Sequence, residues 1–121
     1  MSEDKGREFD IDVLIGQIGK NNLAAISGNR VVIDGATYNK EQNTTQEIDL
    51  PVSSGYSVRI RLDWDDTYTV ERVLTRRPKG KTAKESKVLG RMTGVYCDQV
   101  GEIAYYASCY KNVQFGEKVG A

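Results

Sequence analysis

The stretch SVRIRLDWDDTYTVERVLTRR, residues 57–77, decides the fold because it has the pattern of two strands joined by a short turn. In its first third, apolar side chains alternate with Arg59 and Arg61. This period of two is typical of a strand with one face on a core and the other in water. The acidic run at 63–66 predicts the turn, since Asp side chains form hydrogen bonds within turns.

The returning half of this stretch predicts a second strand with an irregularity. Its apolar positions run through Tyr68 and Val70 and then shift by one residue to Val73. Such a phase shift predicts a β-bulge near Glu71 and Arg72, where one extra residue enters one strand of the pair.

Before the hairpin, the pattern changes from helix to strand. Apolar residues at helical spacing predict a short helix over 11–18, with Asp10 as its cap. Apolar runs and turn residues predict the remaining segments, which are short strands at 23–26, 31–33 and 47–52 and a loop at 36–46.

After the hairpin, a polar loop over 78–87 and a strand over 88–92 are predicted. The segment 94–110 then has apolar and tyrosine side chains at steps of four and three, which predicts a helix with one buried face. That face consists of Tyr96, Val100, Ile103, Ala107 and Tyr110.

The order of helix, strands and helix predicts an α+β domain with an antiparallel sheet of four to six strands. The short N-terminal helix and the C-terminal helix are expected on one face of the sheet. A chain of 121 residues is long enough for one domain. We expect it to span 9–112, between a flexible leader at 1–8 and a flexible tail at 113–121.

The composition argues against an enzyme. The chain has no histidine, which removes the commonest general base and a frequent metal ligand. It also lacks a glycine-rich phosphate-binding motif. No metal and no cofactor are therefore expected. The polar, acidic N-terminus does not resemble a signal peptide, and no apolar run has the length of a membrane span, so the expected location is the cytoplasm.

Cys97 and Cys109 lie twelve residues apart. On one helix they are about 18 Å apart along the axis, too far for a disulfide bond. Two reduced, partly buried thiols are the expected state.

The strongest charge feature is a basic segment at 72–91. It holds eight basic residues and one acid, a net charge of +7. It is either a solvated loop or a footprint for nucleic-acid phosphates. Its basic residues are Arg72, Arg76, Arg77, Lys79, Lys81, Lys84, Lys87 and Arg91.

Two further surfaces are candidates for protein contact. The first is the sheet face with Arg59 and Arg61, or Trp64 at the hairpin turn, because Trp and Arg are frequent at binding hot spots. The second is formed by Tyr105 and Tyr106, which are predicted to flank the buried stripe of the last helix. Interfaces are enriched in tyrosine.

The carboxylates of Asp63, Asp65 and Asp66 form a cluster around Trp64. A metal-dependent nuclease site is one hypothesis for it, but the spacing of a calcium-binding loop is absent. A turn is the better interpretation, since Asp favours turns.

The segments 22–32, 67–76 and 90–110 together resemble small proteins encoded by tailed bacteriophages and prophages, in the version found in actinobacteriophages. A D-x-Y-x-V pattern is matched by Asp66, Tyr68 and Val70. A G-V-Y-A-D opening of the last helix is matched by 94–98, with Cys97 where a small residue is more usual. The resemblance carries no catalytic residues.

The resemblance implies a phage accessory protein that acts in the cytoplasm of the bacterial host. The leading hypothesis is a non-enzymatic protein that binds a host or phage macromolecule, most simply a protein. The alternative is a nucleic-acid-binding protein that uses the basic segment 72–91. The oligomeric state stays open, with a homodimer as one alternative.

Overall fold

The computed structural model describes residues 7–76, 79–80, 82–111 and 114–118. Its elements follow one another along the chain as β1 (Phe9–Asp10), α1 (Ile11–Ile18), α2 (Lys20–Ser27), β2 (Val32–Ile33), β3 (Thr44–Thr45), β4 (Glu47–Pro51), β5 (Tyr56–Leu62), β6 (Tyr68–Arg76), β7 (Glu85–Val95), α3 (Val100–Ser108) and β8 (Glu117–Lys118).

Within these residues, the main sheet has six antiparallel strands in the order β2-β4-β5-β6-β7-β8. A second, two-stranded sheet pairs β1 with β3. The predicted α+β domain with an antiparallel sheet is thereby confirmed. Helices α2 and α3 contact strands β4, β5 and β6, so the helices cover one face of the sheet, and no described helix covers the other.

The core lies between the helices and the covered face of the sheet. Alternate side chains of the central strands are buried there, as the period of two predicts. They meet one side of each helix. The principal core residues are Leu14, Ile18, Leu23, Ile26, Ile48, Leu50, Val58, Ile60, Val70, Val100 and Ala104.

The hairpin predicted from 57–77 is confirmed as β5 and β6. The register pairs Ile60 with Val70 and Tyr56 with Leu74.

The predicted bulge in β6 is wrong, because β6 pairs with β5 without a shift through Glu71 and Arg72. The irregularity lies in the pairing with β7, where Arg72 faces Gly90 and Val73 faces Val88, so that Leu89 of β7 is the extra residue.

Helix α1 begins where predicted. The Asp10 carboxylate accepts hydrogen bonds from the backbone N–H groups of Asp12 and Val13, at 2.9 and 3.3 Å. These bonds satisfy two of the donors that a helix leaves unpaired at its start.

The predicted strand at 23–26 is wrong, because these residues belong to α2. Leu23 and Ile26 are buried while Ala24 and Ala25 between them are exposed, which is the spacing of one helical face. Alanine is the strongest helix former, so Ala24 and Ala25 are well suited to these positions.

The last helix is shorter than predicted. Helix α3 begins at Val100, since Gly94 and Val95 continue β7. Tyr96 lies in the turn between them and is 61% exposed, so it does not share the buried face. Tyr110 follows the helix, and its ring stacks on Tyr56 with centroids 4.1 Å apart.

The predicted tail is also corrected in part. Phe115 is buried in the core, and the strand Glu117–Lys118 pairs with β7. Most of the predicted leader lies outside the described residues, but Arg7 forms a β-bridge with Leu62.

Candidate binding surfaces

The β5–β6 turn places Trp64 in solvent. This residue is 79% exposed, the largest value among the exposed large hydrophobic residues that the structure describes. The turn beneath it is closed by backbone hydrogen bonds from Asp63 N–H to Thr67 C=O at 2.7 Å and from Asp66 N–H to Asp63 C=O at 3.1 Å. The indole therefore projects from a turn whose backbone is fixed by two hydrogen bonds.

The side chains of the turn add further bracing. Asp65 accepts hydrogen bonds from the Thr67 hydroxyl at 2.6 Å and from the Thr67 backbone N–H at 3.1 Å, and these bonds lower the pKa of Asp65. The Asp65 carboxylate thus stabilises the turn, as the turn interpretation predicts.

Arg7 approaches the same turn from the N-terminal segment. Its guanidinium lies 5.7 Å from the Trp64 ring centroid and pairs with Asp66. Its backbone N–H donates to Leu62 C=O at 2.6 Å. We call Arg7, Trp64, Asp65 and Asp66 the Trp64 tip.

The uncovered face of the sheet has a row of alternating charges. The strand register places Asp49, Arg59, Glu71 and Arg91 side by side on four neighbouring strands. Arg59 Nε donates to Asp49 at 3.1 Å, and Arg91 pairs with Glu71 at 2.6 Å. Opposite charges on adjacent strands stabilise the sheet.

At the centre of this row, Glu71 is only 1% exposed. One carboxylate oxygen accepts from Arg61 Nη1 at 3.0 Å, and the other accepts from Arg91 at 2.6 Å. Arg61 is itself buried, with 9% of its surface exposed. Arg61 therefore offers little surface for contact, because Glu71 holds its guanidinium against the uncovered face of the sheet.

Arg59 is half-buried and lies between Asp49 and Glu47. Burial raises the pKa of both carboxyl groups, and this effect outweighs the opposing influence of Arg59. Arg59 is thus accessible only in part, and its nearest partners are acids of the same sheet.

The basic segment divides into internal and exposed residues. Arg72 is buried, and it donates to the carbonyl groups of Ala107, Cys109 and Tyr106 at 2.8, 3.2 and 3.4 Å. It therefore holds the C-terminal end of α3, whose last carbonyl groups lack helical partners. Arg91 is engaged by Glu71.

The prediction that Arg72 contacts nucleic acid is wrong, since its guanidinium is committed to α3. Arg77 and Lys81 lie outside the described residues. The exposed members of the segment are Arg76, Lys79, Lys84 and Lys87, which belong to the β6–β7 hairpin. We call these four residues the basic arm.

The two tyrosines of α3, which the spacing places beside the buried stripe, are exposed. Tyr105 and Tyr106 are 45% and 49% exposed, and the Tyr106 ring is tilted against that of Phe115 with centroids 5.9 Å apart. Tyr96 is a third exposed aromatic residue, although its spacing in the sequence predicts a place in the core.

The two cysteines are free thiols, as expected, but only Cys109 is partly buried; the expected burial of Cys97 is wrong, since this residue is exposed. The reason differs from the predicted one, because Cys97 precedes α3 and the two residues do not share a helix.

Among the described residues, no three His, Cys, Asp or Glu side chains are grouped so that they could hold a metal ion. In the same part of the chain, every helix is too short or too polar to cross a bilayer. A nuclease site at Asp63, Asp65 and Asp66 thus has no support from the geometry.

The class of protein that these observations define is a small α+β domain with exposed aromatic and basic surfaces. Comparison with protein-family models, with curated proteins and with solved structures finds no match to this chain.

Proposed function

We propose that this chain is a non-enzymatic binding protein that contacts a protein partner through the Trp64 tip. The resemblance to phage proteins supports the wider proposal of an accessory protein that acts on a host or phage protein in the bacterial cytoplasm. The observation that carries the proposal is the exposure of Trp64, which is 79% accessible to water.

The exposure is informative because a free indole in water is unfavourable for the isolated protein. Burial of an aromatic side chain of this size contributes about 1.5 to 3 kcal/mol. Because the indole of Trp64 is not buried in the core, the free energy of its burial can be gained when a partner covers it.

The bracing of the turn strengthens the same argument. Binding costs free energy for every side chain and loop that becomes ordered in the complex. Here the backbone hydrogen bonds of Asp63 and Asp66 and the side-chain bonds of Asp65 order the turn beforehand. Arg7 against the Trp64 ring restricts the indole further.

Replacement of Trp64 by alanine is expected to weaken partner binding more than tenfold, because hot-spot residues cost about 2 kcal/mol or more on truncation. The measurement is quantitative capture of partners from the lysate of an actinobacterial host, with immobilised protein. The folded state is expected to persist, since Trp64 is not part of the core.

The matched control is the Tyr105→Ala, Tyr106→Ala variant, which removes exposed aromatic area on α3 and leaves the Trp64 tip intact. It is expected to retain the partner. Equal capture by the wild type and Trp64→Ala would contradict the proposal, and loss only in the tyrosine variant would move the interface to α3.

The alternative function, nucleic-acid binding, keeps one observation in its favour. All four residues of the basic arm are exposed, and they occupy one hairpin. Clustered cations bind a phosphate backbone mainly by counterion release.

Neutralisation of the arm as Arg76→Gln, Lys79→Gln, Lys87→Gln is expected to weaken oligonucleotide binding at low salt. It is also expected to reduce the slope of log affinity against log salt by about one for each phosphate that is no longer neutralised. A mobility-shift titration over several salt concentrations measures both. Lys20→Gln, Lys40→Gln is the control, as both lysines lie elsewhere on the surface. No shift with the wild-type protein would reject this function.

A further inference from the structure

A shallow groove lies on the uncovered face of the sheet, at the end where β5 begins. Its volume is about 600 Å³. It is lined by five neighbouring strands, β2, β4, β5, β6 and β7, with Arg30 in the α2–β2 connection and Lys84 just before β7 at its two sides. The groove is separate from the Trp64 tip and includes none of its residues.

The floor of the groove is low because its side chains are small. The register places Pro51 beside Ser57 and Thr75 beside Ser86. These four residues line the groove together. The Thr75 and Ser86 hydroxyls lie 2.8 Å apart. Larger side chains on both sides then make the surface concave, and its floor carries hydroxyl groups that donate and accept hydrogen bonds.

The charged lining of the groove is cationic. It consists of Arg30, Arg59, Lys84 and Asp49, three positive charges against one negative, a net of +2. The three cations come from three separate parts of the chain, which the folding of the sheet brings to one surface. No pattern in the sequence indicates this grouping, because Arg30 lies outside the basic segment.

The guanidinium groups of Arg59 and Arg30 retain hydrogen-bond donors for a ligand. Arg59 and Arg30 each use Nε in their hydrogen bonds, to Asp49 at 3.1 Å and to the Ser27 carbonyl oxygen at 3.0 Å. Within the described residues, the terminal nitrogens of both guanidinium groups and the Lys84 ammonium have no hydrogen bond. Guanidinium groups bind phosphate oxygens in pairs, and Lys adds a point charge.

We propose that this groove binds a ligand that carries two or more phosphate groups. Neighbouring strands are about 4.8 Å apart, so the five strands of the groove span about 19 Å, which exceeds a single phosphate. The oxygens of a tetrahedral phosphate also accept hydrogen bonds from several directions. This suits a groove whose three cations come from different elements of the fold. Nucleotides and nucleic-acid strands share this chemistry.

The test uses two probes, inorganic pyrophosphate and a short oligothymidylate, titrated by calorimetry into the full chain at low salt. The variant Arg30→Gln, Lys84→Gln is expected to lower the affinity at least tenfold. Arg59 is left in place, because its removal would leave Asp49 and Glu47 without their cation. The charge-matched control, Lys20→Gln, Lys40→Gln, is expected to bind as the wild type does.

The probes distinguish the two sources of phosphate. Pyrophosphate binding that is weakened at least tenfold in Arg30→Gln, Lys84→Gln supports the groove as a site for a small phosphorylated ligand. Oligonucleotide binding alone, weakened to the same extent in this variant, supports it as a site for a nucleic-acid strand. The proposal is overturned if neither probe binds at millimolar concentration, or if the groove variant binds as tightly as the wild type.

Discussion

Replacement of Glu71 by glutamine is expected to lower the free energy of unfolding by about 3 kcal/mol. Glu71 is 1% exposed, and its two oxygens accept from Arg61 and Arg91. The amide of glutamine fits the same space but carries no charge. The buried Arg61 would then lose the anion that compensates its removal from water. The measurement is chemical unfolding followed by far-ultraviolet circular dichroism.

The control for this variant is Glu41→Gln, which removes a carboxylate from an exposed loop and is expected to change stability by less than about 0.5 kcal/mol. The triple variant Arg61→Met, Glu71→Leu, Arg91→Met removes all three charges. It is expected to recover most of the stability, because an apolar group of similar size needs no counterion. A Glu71→Gln variant as stable as the control would show that the row of charges contributes little.

Replacement of Gly101 by alanine is expected to destabilise the protein by about 2 to 3 kcal/mol, although alanine is the better helix former. A Cβ atom at Gly101 would lie 2.1 Å from the Ile18 carbonyl oxygen and 2.8 Å from the side-chain nitrogen of Asn22. That nitrogen donates to the same Ile18 oxygen at 3.0 Å. The helices would have to separate, and the packing of the core between them would loosen. Chemical unfolding, followed as for Glu71→Gln, measures the change.

Gly16 is the matched control for Gly101. It lies within α1, and a Cβ atom there would meet no atom within 4 Å. Gly16→Ala is expected to raise the free energy of unfolding by about 0.5 to 1 kcal/mol through helix propensity alone. If both variants gain stability, the close approach of α3 to α1 and α2 does not limit the fold.

Local patterns predicted the parts of the fold that depend on short-range periodicity. The alternation around Arg59 and Arg61 identified β5. Helix α1 followed from its cap at Asp10. In each case the deciding contacts lie within a few residues along the chain, so the pattern and the structure have the same cause.

The errors occur where a short apolar run fits two periods. Leu23–Ile26 contains four apolar residues, which fit a strand as well as a helix. The choice between them depends on packing against α3, which is distant in sequence. Tyr96 fits the stripe of α3 by spacing, but β7 continues to Val95, and the chain turns before the helix can include it.

The candidate site was harder to predict because the charge of a residue does not reveal its partner. Arg59, Arg61 and Arg72 are equivalent as basic residues of the sequence, yet Arg61 binds Glu71 and Arg72 binds the end of α3. Those partners are ten or more residues away. Trp64 could be placed in solvent from sequence, because the turn around it is local.

The position of Trp64 also determines what optical experiments can detect. It is the sole tryptophan of the chain, and its indole already lies mostly in water in the native state. Unfolding therefore changes the surroundings of the indole little, and its emission is a poor probe of folding. A partner that covers the ring would shift that emission to shorter wavelengths, so intrinsic fluorescence reports on association without any added label.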